Sequence, residues 1–403
     1  MRPTIYPPPP TQKSVYTAEV GLLFLSTFLF FASFNMLIPE LPNYLRSLGG
    51  EAYIGLIIAL FTATAAISRP FSGKLADTIG RIPVMMFGVA VCFMAGLLYP
   101  VLNFVLGFLV LRLVHGFSTG FTPTGNSAYL ADIVPFEKRG EAMGILGLAN
   151  SIGMAMGPAI GSMIVRFFSI EILFFTSSAL ALLAGLVLLR MRETVAQKQP
   201  FRWALLRIRR EEIWEPRVTR PSVVMLLSAM PFGAVLTVLP DFSEHLGADK
   251  GLFFMSFTLA SLVVRVVAGK VSDRIGRVIV VRVANLGMAA AFVFLSFVDT
   301  TMGLVMAAVF FGFFSGMNSP TLFAWTIDLG HPNYRGRAMG TIFIALELGI
   351  GLGALGSAWV YGSQVANFPL TFHCCAGATT LALLYTCLPK KKTIGSSRTH
   401  LDL

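Results

Sequence analysis

Twelve predominantly apolar stretches, each long enough to cross a bilayer as a helix, follow one another along this chain. A span needs about 20 apolar residues, and hydrocarbon offers no water to unsatisfied backbone groups, so a segment that crosses alone crosses as a helix. The stretches fall at about 18–45, 51–72, 83–101, 104–132, 139–167, 171–191, 220–246, 250–269, 279–298, 301–328, 336–363 and 367–388. With 55% hydrophobic and 13% charged residues, the chain has too little polar surface for a water-soluble globule. The fold class that follows is an all-α membrane protein.

The polar remainder is organised around those spans. Residues 1–16 hold the run Pro7 to Pro10, show no signal-peptide pattern and read as a disordered cytoplasmic tail. Residues 17–191 and 220–388 form two six-span halves, joined by a linker at 192–219 and followed by a basic tail at 389–403. In the linker, Phe201, Ala204, Leu205 and Ile208 recur at helical spacing among Arg202, Arg207, Arg209 and Arg210, which predicts an amphipathic helix on the membrane surface. With both termini cytoplasmic, 25 of the 31 Lys and Arg residues lie inside and only Arg46, Arg166 and Lys250 outside. That is the positive-inside asymmetry of a multi-pass protein of the cell membrane. The net charge of +11 is therefore topological and argues against nucleic acid as a partner. Cys92, Cys374, Cys375 and Cys387 all sit in apolar stretches and read as small hydrophobes, with no disulfide or metal-site spacing.

The halves repeat one another at an offset of 196 residues. Arg69, Gly73, Asp77, Gly80 and Arg81 recur as Arg265, Gly269, Asp273, Gly276 and Arg277. Asp132, Arg139, Gly140, Met143, Gly144, Gly153 and Gly157 recur as Asp328, Arg335, Gly336, Met339, Gly340, Gly349 and Gly353. Two homologous six-helix halves in parallel topology follow, related by a pseudo-two-fold axis along the membrane normal.

The loop Gly73-Lys-Leu-Ala-Asp77-Thr-Ile-Gly80-Arg81 and its copy Gly269-Lys-Val-Ser-Asp273-Arg-Ile-Gly276-Arg277 resemble the signature of the major facilitator superfamily. The resemblance implies the twelve-helix major facilitator fold, and it implies that Gly73, Asp77 and Arg81 latch the halves together in the outward-open state. On chemistry alone, Gly80 permits a tight reversal and Gly73 a close helix contact. Asp77 can accept from the free N–H groups at the start of the third span, and Arg81 can pair with an acid. Asp132 and Asp328, each ahead of an Arg-Gly pair at Arg139 and Arg335, fit the same gate network, as do Arg69 and Arg265.

Gly144, Gly153, Gly157-Pro158 and Gly161 on the fifth span resemble the antiporter motif of the drug-efflux branch, with Ser162 where a final glycine is usual. These glycines read as a smooth stripe on one helix face, with Pro158 kinking the helix beside it. Arg112-Leu-Val-His115-Gly116 resembles an element of the same branch and has no counterpart in the second half, where Ala308 stands at the corresponding position.

Arg112, His115, Thr119, Thr122 and Asn126 lie three and four residues apart, so they share one helix face that must meet a wet cavity or polar partners. An intramembrane Arg costs about 2.5–3.5 kcal/mol and marks a functional site by default. Its candidate partners are Glu347, set deep in an apolar run, and Glu40 beside Pro39. A carboxyl that loads and releases a proton as access alternates is what proton coupling requires. Asn35, Asn150, Asn318 and Trp325 are candidate contacts for the solute.

No phosphate loop, metal-ligand cluster or catalytic triad pattern is present, so the chain is not expected to be an enzyme or to need a cofactor. The expected function is efflux of a small organic solute, as a monomer, in exchange for protons. A proton-coupled importer or facilitator of a metabolite such as a sugar would share both loop signatures, and a non-transporting receptor would have no use for Arg112 and Glu347.

Overall fold

The computed structural model describes residues 17–134, 139–195, 197–208, 213–330 and 335–388. The spanning helices, numbered here α1 to α12, are Ala18–Asn35, Ile54–Thr78, Arg81–Leu98, Val105–Ile133, Arg139–Phe167 and Ile170–Leu188 in the first half. Those of the second half are Thr219–His245, Lys250–Ile275, Arg277–Leu295, Thr301–Leu329, Arg335–Tyr361 and Phe368–Cys387. Among the described residues eleven helices are long and apolar enough to cross a membrane, and α8 packs among them at comparable length. The chain is a multi-pass membrane protein.

The first span departs most from expectation. In place of one helix to residue 45, α1 stops at Asn35, residues 36–40 turn, and a short helix Leu41–Ser47 follows. Pro39 and Pro42 lack the N–H groups that a continuous helix would use, which accounts for the break.

Packing within each half follows one pattern. α1 lies against α5 and α6, α2 against α4, and α3 against α4 and α6, while α7 to α12 repeat those pairs in order. The halves meet where α2 packs on α11 and α5 on α8, two contacts that the 196-residue shift exchanges. Close approach rests on glycine: a Cβ at Gly153 or Gly157 would meet the backbone of α1 at 2.8–2.9 Å, and one at Gly161 would collide with the Met36 carbonyl. Gly349 and Gly353 sit the same way against Leu226 and Met230 of α7. Gly144 does not share this face. The nine residues from Gly144 to Gly153 are about 2.5 turns, so the expected single stripe is split across opposite sides of α5.

The linker lies against the first half. Leu205 and Leu206 pack on Leu75, Val84 and Phe121, and Gln199 N–H donates to the Thr78 carbonyl at 3.0 Å. Over the described residues 197–208 its regular structure is one 3₁₀ turn, Trp203–Leu206, in place of the expected amphipathic α-helix; residues 209–212, with Arg209 and Arg210, lie outside the described residues, as do both tails.

Candidate functional site

The loops of the repeated signature lie on the linker face. Gly80 and Gly276 take φ of +124° and +96°, a conformation that disfavours any side chain, so the tight reversal requires glycine in both copies. Asp77 does not cap α3. Glu193, at the start of the linker, accepts from Arg81 N–H at 2.9 Å and Ile82 N–H at 3.1 Å. Asp77 pairs with Arg81, whose Nε also donates to Asp132 at 3.0 Å. Arg277 repeats this with Asp273 and Asp328 at 2.5 and 3.1 Å. All these ion pairs stay within a half, and the Asp77 and Asp273 carboxylates are 71% and 61% exposed. The side chains of Arg139 and Arg335 and the surroundings of Gly269 lie outside the described residues.

The far face is shut. Arg46 of the short helix pairs with Asp241 of α7, Lys250 of α8 reaches Glu40 at 3.5 Å and Glu244 at 3.2 Å, and Asn43 donates to Glu244 at 3.1 Å. Burial alone lowers the pKa of the Arg46 guanidinium, but the Asp241 carboxylate outweighs it and the pKa is raised. Glu40 also accepts from Ser162 at 2.9 Å, so it belongs to this closure and is no partner of Arg112. Beneath it the space between the halves narrows to a cavity of about 10 Å³, room for a single water, lined by Asn35, Met154, Pro158, Phe232, Phe254 and Thr258 among others.

The polar face of α4 turns inward to its own half. Arg112, 2% exposed, donates to the Ile57 carbonyl at 2.8 Å and to Tyr99 Oη at 3.3 Å, and lies over the Phe61 ring at 4.5 Å. His115 lies 3.2 Å from Tyr99 Oη and 3.3 Å from Cys92 Sγ. Thr122 donates to the Met85 carbonyl, and Asn126 donates to Thr27 Oγ1 at 2.9 Å. Neither proposed carboxylate reaches Arg112. A backbone carbonyl, a phenol and a ring satisfy it, which makes it a brace holding α2, α3 and α4 together. Asn318 accepts from Asn285 at 3.2 Å inside the second half, and Trp325 belongs to that half's core. Of the four candidate solute contacts, Asn35 lines the cavity; the Asn150 carboxamide oxygen is buried without a partner.

Glu347 pairs across the interface with Arg69, Nη2 to Oε1 at 2.8 Å, and the guanidinium lies 4.4 Å from the Phe343 ring one turn earlier on α11. Both side chains are 10% exposed. Its place one turn before Gly73 predicts Arg69 in the loop network, yet it faces the other half. Its repeat mate Arg265 also crosses the interface, donating to Ser151 of α5 at 3.2 Å. Ser151 occupies the position that Glu347 holds in the second half, 196 residues on. The pairs 69–347 and 265–151 are therefore one contact built twice, once with a carboxylate and once with a hydroxyl. The repeat offset held this pairing, but locating it required knowing that α2 meets α11.

This architecture of twelve helices in two repeated halves is shared with solved transporters. The nucleoside transporter NupG superposes with a TM-score of 0.76 at 14% identity, over 91% of this chain and 98% of that one. The human organic anion transporter MFSD10 (TETRAN) does so at 0.71 and 20%, over the same shares. By sequence, the multi-drug resistance efflux pump PmrA of Streptococcus pneumoniae is 27% identical over 92% of this chain and 94% of its own. Multidrug resistance protein 2 of Bacillus subtilis is 30% identical over 43% and 42%. The Major Facilitator Superfamily profile matches residues 23–354 and 221–399, and with the duplicated halves, the twin loop signatures and the interface between them, it places this chain in that superfamily.

Proposed function

We propose that the protein exports a small organic solute across the cell membrane by alternating access, that inward proton flow supplies the energy, and that Glu347 with Arg69 is the coupled pair. Both termini and the linker face are cytoplasmic in this reading, as the distribution of Lys and Arg requires, and the carrier works as a monomer. The observation that carries it is the buried Arg69–Glu347 pair between the halves. Removing one partner of a buried ion pair costs about 3–5 kcal/mol. Swinging a two-state equilibrium from 1:99 to 99:1 takes about 5.5 kcal/mol. One protonation here thus has most of the leverage needed to bias the two access states. The far face is closed by ion pairs, and in this reading the conformer faces inward.

The test is a growth screen of an expressing strain against toxic compounds beside an empty-vector strain, followed by flux of a protected-against compound in proteoliposomes under an imposed pH gradient. Accumulation driven by the gradient is expected. Flux indifferent to the gradient would replace proton coupling with facilitation or another ion.

Asp77→Asn gives a second check. The exposed pair with Arg81 is worth about 0–1 kcal/mol, so the variant keeps its fold and melting temperature. Losing up to about 1 kcal/mol of latch energy changes the ratio of access states up to about fivefold, and transport is expected to fall by about that factor. Asp273→Asn is expected to be milder. Wild-type flux in Asp77→Asn would remove the latch role.

A further inference from the structure

At mid-depth the described residues of the spanning helices carry three cations and one carboxylate: Arg69, Arg112, Arg265 and Glu347. Glu347 neutralises Arg69, and the brace of carbonyl, phenol and ring encloses Arg112. Arg265 has a single hydrogen-bond partner, the neutral hydroxyl of Ser151, and no described carboxylate within ion-pair distance. Its direction is set by α8. Met255, Leu259 and Val263, exposed by 42%, 55% and 74%, mark the lipid side of that helix. Arg265 projects from the opposite side at 100° per residue, in line with Thr258 and Phe254, about two and three turns toward the far face. Those two residues line the small cavity between the halves, and Arg265 stands on the same side of α8 with an accessible side chain, so its guanidinium faces the seam between the halves.

We propose that Arg265 is the recognition group for the solute, and that the solute is an organic anion: a carboxylate, sulfonate or phosphonate on an apolar body. A guanidinium offers paired donors to two oxygens of such a group, and in a site screened from bulk water this charge-assisted contact is stronger than the one to Ser151. The apolar body then lies along Met154, Phe232, Leu236, Phe254 and Phe257 as the far-face cavity widens. The duplication sharpens the argument. Where the first half's arginine meets a carboxylate supplied by the protein, the second half's arginine meets a hydroxyl, and the missing negative charge is the one the solute brings. This inference rests on the chain being a carrier and is independent of proton coupling and of transport direction.

The experiment is calorimetric titration of the purified full chain in detergent, at one pH and with no gradient, with protein-free micelles as the blank. The probes are 2-naphthoate, its neutral isostere 2-naphthamide, and the cationic 2-naphthylmethylammonium. Wild type is expected to bind naphthoate at least about tenfold more tightly than naphthamide, the scale of one hydrogen bond to a charged group. Ser151→Glu supplies Arg265 with the carboxylate that Arg69 already has, and it is expected to abolish the preference for naphthoate while leaving naphthamide binding unchanged. Should Ser151→Glu fail to fold, Arg265→Gln is expected to give the same loss, and Arg265→Lys to keep part of the preference. Equal binding of the two isosteres, binding of neither, preference for the ammonium, or a naphthoate preference that survives Ser151→Glu and Arg265→Gln would overturn the proposal. An intact anion preference in a protein whose flux ignores the pH gradient would sink the coupling mechanism and leave this assignment standing.

Discussion

Glu347→Gln is expected to abolish accumulation of solute against its gradient while leaving downhill exchange close to the wild-type rate. The carboxamide is nearly isosteric and still accepts a hydrogen bond from Arg69, which in this structure lies 2.8 Å from the carboxylate and 4.4 Å from the Phe343 ring. The fold therefore survives, and what is lost is the ability to change charge. Without that change, protonation no longer biases one access state over the other, and a carrier whose states are biased only by solute runs downhill. The measurement is paired: uptake driven by an imposed pH gradient, and counterflow with no gradient, in the same proteoliposomes. If Glu347→Gln still builds a solute gradient from a pH gradient, Glu347 is a structural acid. If both activities disappear, its pairing with Arg69 is needed for movement itself.

Two glycines of one motif are expected to fail in opposite ways. A Cβ at Gly161 runs into the Met36 carbonyl at the end of α1, and backbone there cannot yield without moving the whole helix. Gly161→Val overpacks that contact by several methyl-sized groups, at a cost of about 1–3 kcal/mol or more, and is expected to reduce the yield of folded protein and its melting temperature. Gly144 stands two turns from Ser151 on the side of α5 that faces the second half, and a Cβ there meets nothing within 4 Å. Gly144→Leu is therefore expected to leave expression and melting temperature unchanged and to stop transport, because the added side chain props the halves apart where they must close. Cysteine accessibility from the linker face would report the trapped state. Normal transport by Gly144→Leu would show that α5 and α8 do not approach there, and a well-folded Gly161→Val would show that α1 and α5 slide freely.

Hydrophobic length placed the ends of every span but the first within about six residues, since a membrane leaves the chain few other ways to satisfy its backbone, and the 196-residue offset carried the two halves. What composition could not supply was direction. The face formed by Arg112, His115, Thr122 and Asn126 has the polar spacing of a cavity wall, yet each of these side chains finds its partner within the first half. Spacing shows that residues share a face and is silent about which neighbour that face meets. Arg69 obeys the same rule: it stands four residues from a loop glycine, and only the packing of α2 on α11 brings it to Glu347. Glu193 carries no signal in the sequence because its partners, the first N–H groups of α3, are over a hundred residues away and belong to the backbone.

The pairing of Arg69 with Glu347 and of Arg265 with Ser151 also bears on how such a chain changes over generations. Gene duplication hands both halves the same arginine, and the character of the passage is then settled at two partner positions, 151 and 347. Neither caps a helix, and at position 151 a substitution removes only a neutral partner of Arg265. On the proposal that Arg265 receives the solute's charge, a lineage of this architecture passes from one charge class of cargo to another by a single codon at position 151, which gives a duplicated carrier a short route to new chemistry.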